Sequence, residues 1–250
     1  MLKQAQHDDR KKHSDLADKP LSNRTALVTG ASRGIGAATA EALGGQGAHV
    51  ILVARTTGGL EEVEERIHAA GGTATIAPLD LTDGESIDRL AQAIAGRWQA
   101  LDFLILNAAM LGTLAPVAAI DAKEFSKLLT LNVGAQAALI AAFDPMLKAS
   151  NRGRVIGISS SVAQRPRAYW GAYGASKAAL ENLLFTYGQE VANISAIRAA
   201  VVNPGATATA MRVKAYPGED PTTLKSPAVV GEAIAKFLTE DFETGANITL

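Results

Sequence analysis

An α/β fold, a doubly wound parallel sheet of seven strands with helices on both faces, is predicted for this 250-residue sequence by three observations. Short apolar runs rich in β-branched residues alternate with longer segments of helical spacing, the order that lays strands in parallel with helices returning over the sheet. Alanine and glycine are abundant while aromatic residues make up only 5%, which lets helices lie close on a sheet. A glycine-rich run separates the first such strand from the first helix.

The elements follow in order. Thr-Ala-Leu-Val-Thr predicts a strand over 25–29, and a helix opens after Gly34. A β-branched run predicts a strand over 49–54, followed by a helix over 59–70. The next pairs are a strand over 73–79 with a helix over 83–98, and a strand over 101–107 with a long helix over 121–149. A strand over 154–159 leads to a helix over 172–191, a strand over 196–203 to a helix over 227–238, and a last strand covers 247–250. With no linker-like stretch, residues 24–250 are expected to form a single domain.

Residues 1–23 are expected to be a flexible tail: they are polar and mixed in charge, with Asp8-Asp9-Arg10-Lys11-Lys12 and no apolar core of signal-peptide length. Nowhere do eighteen apolar residues run together, so no transmembrane helix or membrane partner is expected and the simplest address is cytoplasmic. Net charge is −1 with Lys and Arg scattered, which argues against a nucleic-acid partner. The absence of cysteine excludes disulfides and thiolate chemistry. His7, His13, His49 and His68 show no ligand spacing, so no metal centre is expected.

The glycine run reads Thr29-Gly30-Ala31-Ser32-Arg33-Gly34-Ile35-Gly36. Between a strand and a helix, such a turn lets backbone N–H groups and the positive helix N-terminus approach a pyrophosphate without obstruction by Cβ atoms. Gly30, Ser32, Arg33, Gly34, Ile35 and Gly36 are therefore candidate cofactor-binding residues. At the end of the second strand the chain reads Val53-Ala54-Arg55-Thr56, with no acidic residue to bind a ribose 2′-hydroxyl. Arg55 and Arg33 instead offer two guanidinium groups to a 2′-phosphate, which makes NADP(H) the preferred cofactor and NAD(H) the alternative. Either arginine alone could equally be a solvated surface residue.

Tyr173 and Lys177 lie four apart on one predicted helix, one turn above each other on the same face, and Ser160 stands thirteen residues upstream where a strand ends. Hydride addition to a carbonyl leaves an alkoxide that needs a proton. Tyr173 can supply it and, in reverse, remove it, if the Lys177 ammonium and an oxidised nicotinamide draw its pKa down. Ser160 is placed to hydrogen-bond the substrate oxygen, and Lys177 to hold the nicotinamide ribose. Tyr169 lacks the lysine and serine at these offsets and is expected at the mouth or surface, with Ser159 and Ser161 as strand-end groups. Val162, Gln164, Trp170, Met211 and Arg212 are expected to close the substrate pocket. Arg165, Arg167 and Arg212 could meet an acidic substrate arm, although solvent exposure is the simpler role for most of them.

From about Arg24 to Leu250 the sequence resembles the short-chain dehydrogenase/reductase family, a single-domain Rossmann-type fold. The matching residues are the Thr29 to Gly36 loop, Asp80-Leu81, Asn107-Ala108-Ala109, Asn132, Ser160, Tyr173-x-x-x-Lys177, and Asn203-Pro204-Gly205 with Thr209. Ser159 to Val162, Trp170 to Tyr173, Ala210-Met211-Arg212 and Tyr216 to Pro221 are similar to its YciK-like bacterial branch. The resemblance implies that Asp80 and Leu81 lie at the adenine end. It puts Asn107, Ala108, Ala109, Pro204, Gly205, Thr207 and Thr209 beside the nicotinamide, and has Asn132 hold a water that links Lys177 to solvent. Asn132 could also be a polar packing group between helices.

Leu106 departs from the family's usual asparagine and removes one polar side chain that ties the strand to its neighbours, and many relatives continue past Asn247 into a tail used at a subunit contact. The long helices around Phe125 to Ala149 and Tyr173 to Val191 pack across subunits in similar proteins, implying a homodimer or homotetramer. The expected function is interconversion of a small-molecule carbonyl and a secondary alcohol. A 3-oxoacyl thioester reductase and a non-catalytic dinucleotide sensor are the alternatives, the latter disfavoured by the intact Ser160, Tyr173 and Lys177.

Overall fold

A computed structural model describes residues 19–250. Seven parallel strands form one sheet in the order β3-β2-β1-β4-β5-β6-β7. They are β1 (Thr25–Thr29), β2 (His49–Ala54), β3 (Thr73–Pro78), β4 (Phe103–Leu106), β5 (Arg154–Ile158), β6 (Arg198–Asn203) and β7 (Ala246–Thr249). The principal helices are α1 (Gly34–Gly45), α2 (Thr57–Ala69), α3 (Gly84–Ala95), α4 (Ala122–Leu129), α5 (Ala135–Ala149), α6 (Gly171–Val191), α7 (Ala210–Ala215) and α8 (Pro227–Thr239).

Successive side chains of a strand point to opposite faces, and the two cores divide accordingly. Ala26, Val28, Val50, Leu52, Ile105 and Ile156 face one side, where they meet α1, α2 and α8. Leu27, Ile51, Val53, Leu104, Val155 and Val201 face the other, against α3, α5 and α6. Such two-sided burial explains why the central strands read as continuous apolar runs rather than alternating ones. Chain direction reverses its march across the sheet between β1 and β4, and the crevice at that switch point is where ligands of such sheets bind.

Three local differences from the sequence reading have physical causes. The helix expected over 121–149 is two helices joined by a π turn, Thr130–Gly134, which turns Asn132 fully inward. The short helix α7 was not expected; Thr209 starts it by accepting a hydrogen bond from the Arg212 N–H at 3.1 Å. Strand ends shift by one or two residues, β4 starting at Phe103 because Asp102 turns its carboxylate onto the Thr25 N–H.

Of the tail expected over 1–23, residues 1–18 lie outside the described residues. Leu21 is buried in the core and its N–H donates to Gln46 O at 2.9 Å. The stretch Ala122–Ala149 reaches the length and mean hydropathy of a membrane span. It is nonetheless broken by the π turn, and its Leu139, Phe143 and Leu147 lie in the sheet's core. His49 is held between strands, bonded to Thr73 and Thr75 and stacked on Trp98 at 4.9 Å.

Candidate active site

At the C-terminal ends of β1 and β4 the backbone is tied into one unit. The Thr29 hydroxyl donates to Ile105 O at 3.0 Å and accepts from the N–H groups of Asn107 and Ala108, while the Asn107 amide donates to Thr29 O at 2.8 Å. This close approach needs glycine: Gly30 has φ +65°, and a Cβ on it would stand 2.8 Å from Asn107 Nδ2. A Cβ on Gly36 would stand 2.3 Å from Gly30 O, so the first turn of α1 can fold onto the loop only without one. Leu106 packs into the core instead of tying the strand.

Arg33, extended at φ −168°, precedes α1, and Arg55 follows β2; both are exposed. The start of α2 presses on the glycine loop, since a Cβ on Gly59 would meet Ser32 Cβ at 3.0 Å, so the two arginines flank one rim. Asp80 is exposed and accepts from Thr82 N–H and hydroxyl, which together with Arg55 hold its carboxyl below the usual range. Leu81 is buried. Across the crevice, Thr209 Cγ2 is 3.6 Å from where a Gly34 Cβ would be, so the loop after β6 faces the glycine loop. In that loop Pro204 and Thr207 are buried, Gly205 has φ +67°, and the Thr207 hydroxyl is turned onto Pro204 O and Gly205 O.

The end of β5 and helix α6 carry the three residues singled out from the sequence, Ser160, Tyr173 and Lys177. Ser160 is extended at the end of β5, and its hydroxyl has no hydrogen-bond partner among the described residues. Tyr173 and Lys177 occupy successive turns of α6; both are buried, with Lys177 Nζ 5.8 Å from the tyrosine ring centre. Lys177 Nζ donates to Ile158 O at 2.7 Å. Burial lowers the Lys177 pKa to about 8, partly opposed by the Glu181 carboxylate. Burial also pushes the Tyr173 phenol well above its ordinary value. Desolvation of the phenolate is the cause in the protein alone; the lowering expected for Tyr173 counts the Lys177 ammonium together with an oxidised nicotinamide.

Asn132 is fully engaged as a strut. Its Oδ1 accepts from Met110 N–H at 2.8 Å, and its Nδ2 donates to Met110 O at 2.9 Å and to Ser176 Oγ at 3.0 Å. The π turn, the loop after β4 and α6 are thereby joined at one residue, as π-bulges at functional sites often do. Ala109 is half-buried next to Met110 in that loop.

Sequence reasoning missed Glu181. It is buried one turn beyond Lys177, accepts from the Ser159 hydroxyl, and accepts from Gln164 Nε2 at 3.1 Å. Gln164, expected to line the pocket, is exposed and spends its amide N–H on Glu181. Val162 packs with Leu111 and Tyr173, and Trp170 meets the Tyr173 ring edge-on at 5.9 Å. Arg212 is bound by both Glu219 oxygens at 2.6 Å and lies over the Tyr216 ring. Tyr169, at φ +72°, is 60% exposed.

A glycine turn over a crevice, two exposed arginines on its rim and Ser160, Tyr173 and Lys177 at its other end are the parts that a dinucleotide-dependent oxidoreductase uses. The family model for short chain dehydrogenases matches residues 24–220. The chain belongs to the short-chain dehydrogenase family. Among the relatives of this dehydrogenase, the uncharacterized oxidoreductase YciK of Escherichia coli strain K12 is 38% identical over 211 residues, covering 83% of each chain. A fatty acyl-CoA reductase of Acinetobacter baylyi is 39% identical over 172 residues, 68% of this chain and 58% of that protein. A short chain dehydrogenase from Shigella flexneri 2a, solved with NADP, superposes with a TM-score of 0.88 at 35% identity, covering 92% of this dehydrogenase and 98% of that chain.

Proposed function

We propose that this short-chain dehydrogenase is an NADP(H)-dependent oxidoreductase that interconverts a carbonyl and a secondary alcohol, with Tyr173 as acid and base. The observation that carries the reading is the convergence of a Ser160 hydroxyl without a hydrogen-bond partner among the described residues, a buried Tyr173 and a buried Lys177 at the end of a glycine-cradled crevice. The residues present fit a dinucleotide: the cradle leaves no room for a Cβ on Gly30 or Gly36. The backbone of Gly30 to Gly36 and the α1 N-terminus would hold the pyrophosphate. Asp80 and Leu81 would bound the adenine, and Asn107 to Ala109 with Pro204, Gly205, Thr207 and Thr209 the nicotinamide end. Bound there, the reduced nicotinamide supplies the hydride.

The choice of NADP(H) over NAD(H) is supported by the two exposed guanidinium groups of Arg33 and Arg55 and by the solved Shigella neighbour. Both are available to a 2′-phosphate, and a carboxylate that would repel one is missing at position 55.

In reduction, Ser160 donates a hydrogen bond to the carbonyl oxygen, favouring negative charge as it develops there. Tyr173 then transfers its phenolic proton to that oxygen. Burial keeps this phenol protonated in the protein alone, so the proton to be given is in place, and the Lys177 ammonium eases its release. Lys177, cationic at neutral pH, stabilises the phenolate left behind and would bind the ribose hydroxyls. Asn132 keeps α6 and the loop after β4 in register beneath them, and a water held at the π turn would return the proton through Lys177.

A 3-oxoacyl thioester is the second reading, favoured by the similarity to the Acinetobacter acyl-CoA reductase. A homodimer or homotetramer joined through α5 and α6 is part of the proposal, supported by how much of the apolar Ala122–Ala149 stretch stays uncovered in one chain. The deciding experiment measures NADPH and NADH oxidation over aldehydes, ketones and acyl thioesters. A higher kcat/KM with NADH, or no turnover of any carbonyl, defeats the reading.

A further inference from the structure

The substrate end of the crevice is built unlike the rest of the molecule. Its side chains belong to neither face of the sheet: Leu111, Val162 and Tyr173 form a third, separate cluster, against which Leu114, Trp170, Met211 and Ala215 pack. The proton-donating ring is therefore a member of an apolar patch that contributes nothing to holding the sheet.

The rim continues this character into solvent. Five large hydrophobic residues are conspicuously exposed among the described residues, and three of them, Val117, Tyr169 and Val213, stand around this mouth. Val117 Cγ2 is 2.9 Å from where a Gly171 Cβ would lie, beside Trp170. Tyr169 holds a left-handed backbone at φ +72°, a conformation disfavoured for a tyrosine, and its carbonyl accepts from Ala115 N–H at 3.1 Å. Val213 projects from α7. Apolar surface left wet around a reactive group marks a place that a ligand covers.

The cations at the mouth are turned against one another's partners rather than toward a ligand. Arg212 is held by both oxygens of Glu219, and Arg167 donates to the Tyr216 hydroxyl. Tyr216 in turn lies 5.7 Å from Trp170, which meets Tyr173, so the bound arginines brace a run of three aromatic rings. Arg165 and Lys214 remain at the solvent edge. An anionic substrate arm would have to break the bidentate Arg212–Glu219 pair to gain that guanidinium, leaving Glu219 unpaired, and would otherwise meet only exposed cations such as Arg165 at the solvent edge.

The lid over this cluster is lightly held. α7 has no buried residue and is backed by a cavity of about 190 Å³ lined by Thr209, Arg212, Val213, Tyr216 and Leu224. Room therefore exists for α7 to give way when a substrate enters.

We propose that the substrate is an uncharged carbonyl compound with an apolar body, seated on Trp170 and Met211 over Tyr173, and that Trp170 and Tyr216 determine this specificity. The proposal rests on the reductase reading above. It disfavours thioesters of phosphate-bearing carriers, whose charge would be set against an apolar rim.

The test pairs ketones of equal shape and different charge, acetophenone with 4-acetylbenzoate and cyclohexanone with 4-oxocyclohexanecarboxylate, and adds acetoacetyl-CoA, each with NADPH. The neutral member is expected to have a kcat/KM at least about tenfold higher, as the burial of a few methylene-sized groups against an unpaired charge requires. Trp170→Ala is expected to raise KM for the neutral ketone about tenfold while KM for NADPH stays as it was. Equal or better turnover of the carboxylated ketones or the thioester overturns this inference and leaves the reductase reading intact. Equal rises in both KM values overturn the role given to Trp170. NADPH binding without turnover of any carbonyl defeats the reductase reading itself, and this inference with it.

Discussion

Lys177 Nζ donates to Ile158 O at 2.7 Å, and Glu181, one turn further along α6, accepts from the hydroxyl of Ser159, the next residue of the chain. Two side chains of one helix thus grip two consecutive residues of the strand end that delivers Ser160. The grip fixes the serine relative to Tyr173, because all four attachments lie on α6 or at the end of β5. The placement of Ser160 against α6 is set by a helix clamped to a strand.

Glu181→Gln keeps the size of this clamp and an acceptor for the Ser159 hydroxyl, removes the charge, and gives up the second oxygen that accepts from Gln164. The carboxylate is the one group that opposes the burial acting on Lys177, so without it the lysine pKa falls below about 8. The basic limb of the kcat/KM profile is expected to move to lower pH, with Glu181→Asp partly restoring it. A profile unchanged in Glu181→Gln would leave the residue a packing role only.

Lys177 is also a burden on the fold. Its pKa of about 8 in the protein against 10.5 in water corresponds to roughly 3 kcal/mol of penalty for keeping it charged and buried. Below pH 8 both folded and unfolded chains hold the proton and the penalty is complete. Between pH 8 and about 10.5 the unfolded chain holds more protons, so stability from this group rises with pH. Lys177→Met should therefore be inactive yet more stable than wild type by about 1–3 kcal/mol at pH 7 in urea denaturation, the hydrogen bond to Ile158 taking back part of the gain. The difference should shrink as pH rises past 8. A variant less stable at pH 7 with a pH-independent gap would refute this.

Arg55→Ala is expected to raise KM for NADPH about tenfold, the worth of a charge-assisted contact to a phosphate, with little change for NADH. The same loss with both cofactors would mean that the arginine does not meet a 2′-phosphate.

Asn132→Leu removes three hydrogen bonds at a fully buried position and strands Met110 N–H and O. Thermal and urea unfolding should show a loss of about 2–4 kcal/mol, the cost of buried polar groups left unpaired.

Much of this was legible in the sequence, for reasons that can be named. β1, β2, β4 and β5 are buried on both faces, so their apolar runs stand out against the helices between them. Ser160, Tyr173 and Lys177 could be aligned because helical register fixes which side chains share a face. The π turn at Asn132 was hidden because a helix widened by one residue keeps its apolar pattern nearly unbroken. Glu181 was hidden because a carboxylate on a helix reads as a solvent-facing group until the strand end that covers it is known. The raised Tyr173 pKa was likewise invisible: it depends on burial, which spacing does not report. The engagement of Arg212 depends on a residue seven positions away across a turn, a pairing no periodicity announces.

The most direct test of the central claim compares NADPH oxidation by Tyr173→Phe and Tyr169→Phe with a neutral ketone. Both tyrosines belong to the same short segment, but only Tyr173 is buried beside Lys177. Loss of the general acid should lower kcat in Tyr173→Phe by about a thousandfold or more, while Tyr169→Phe keeps kcat near wild type. Equal losses in the two variants, or full turnover in Tyr173→Phe, would contradict the assignment of Tyr173 as the proton donor.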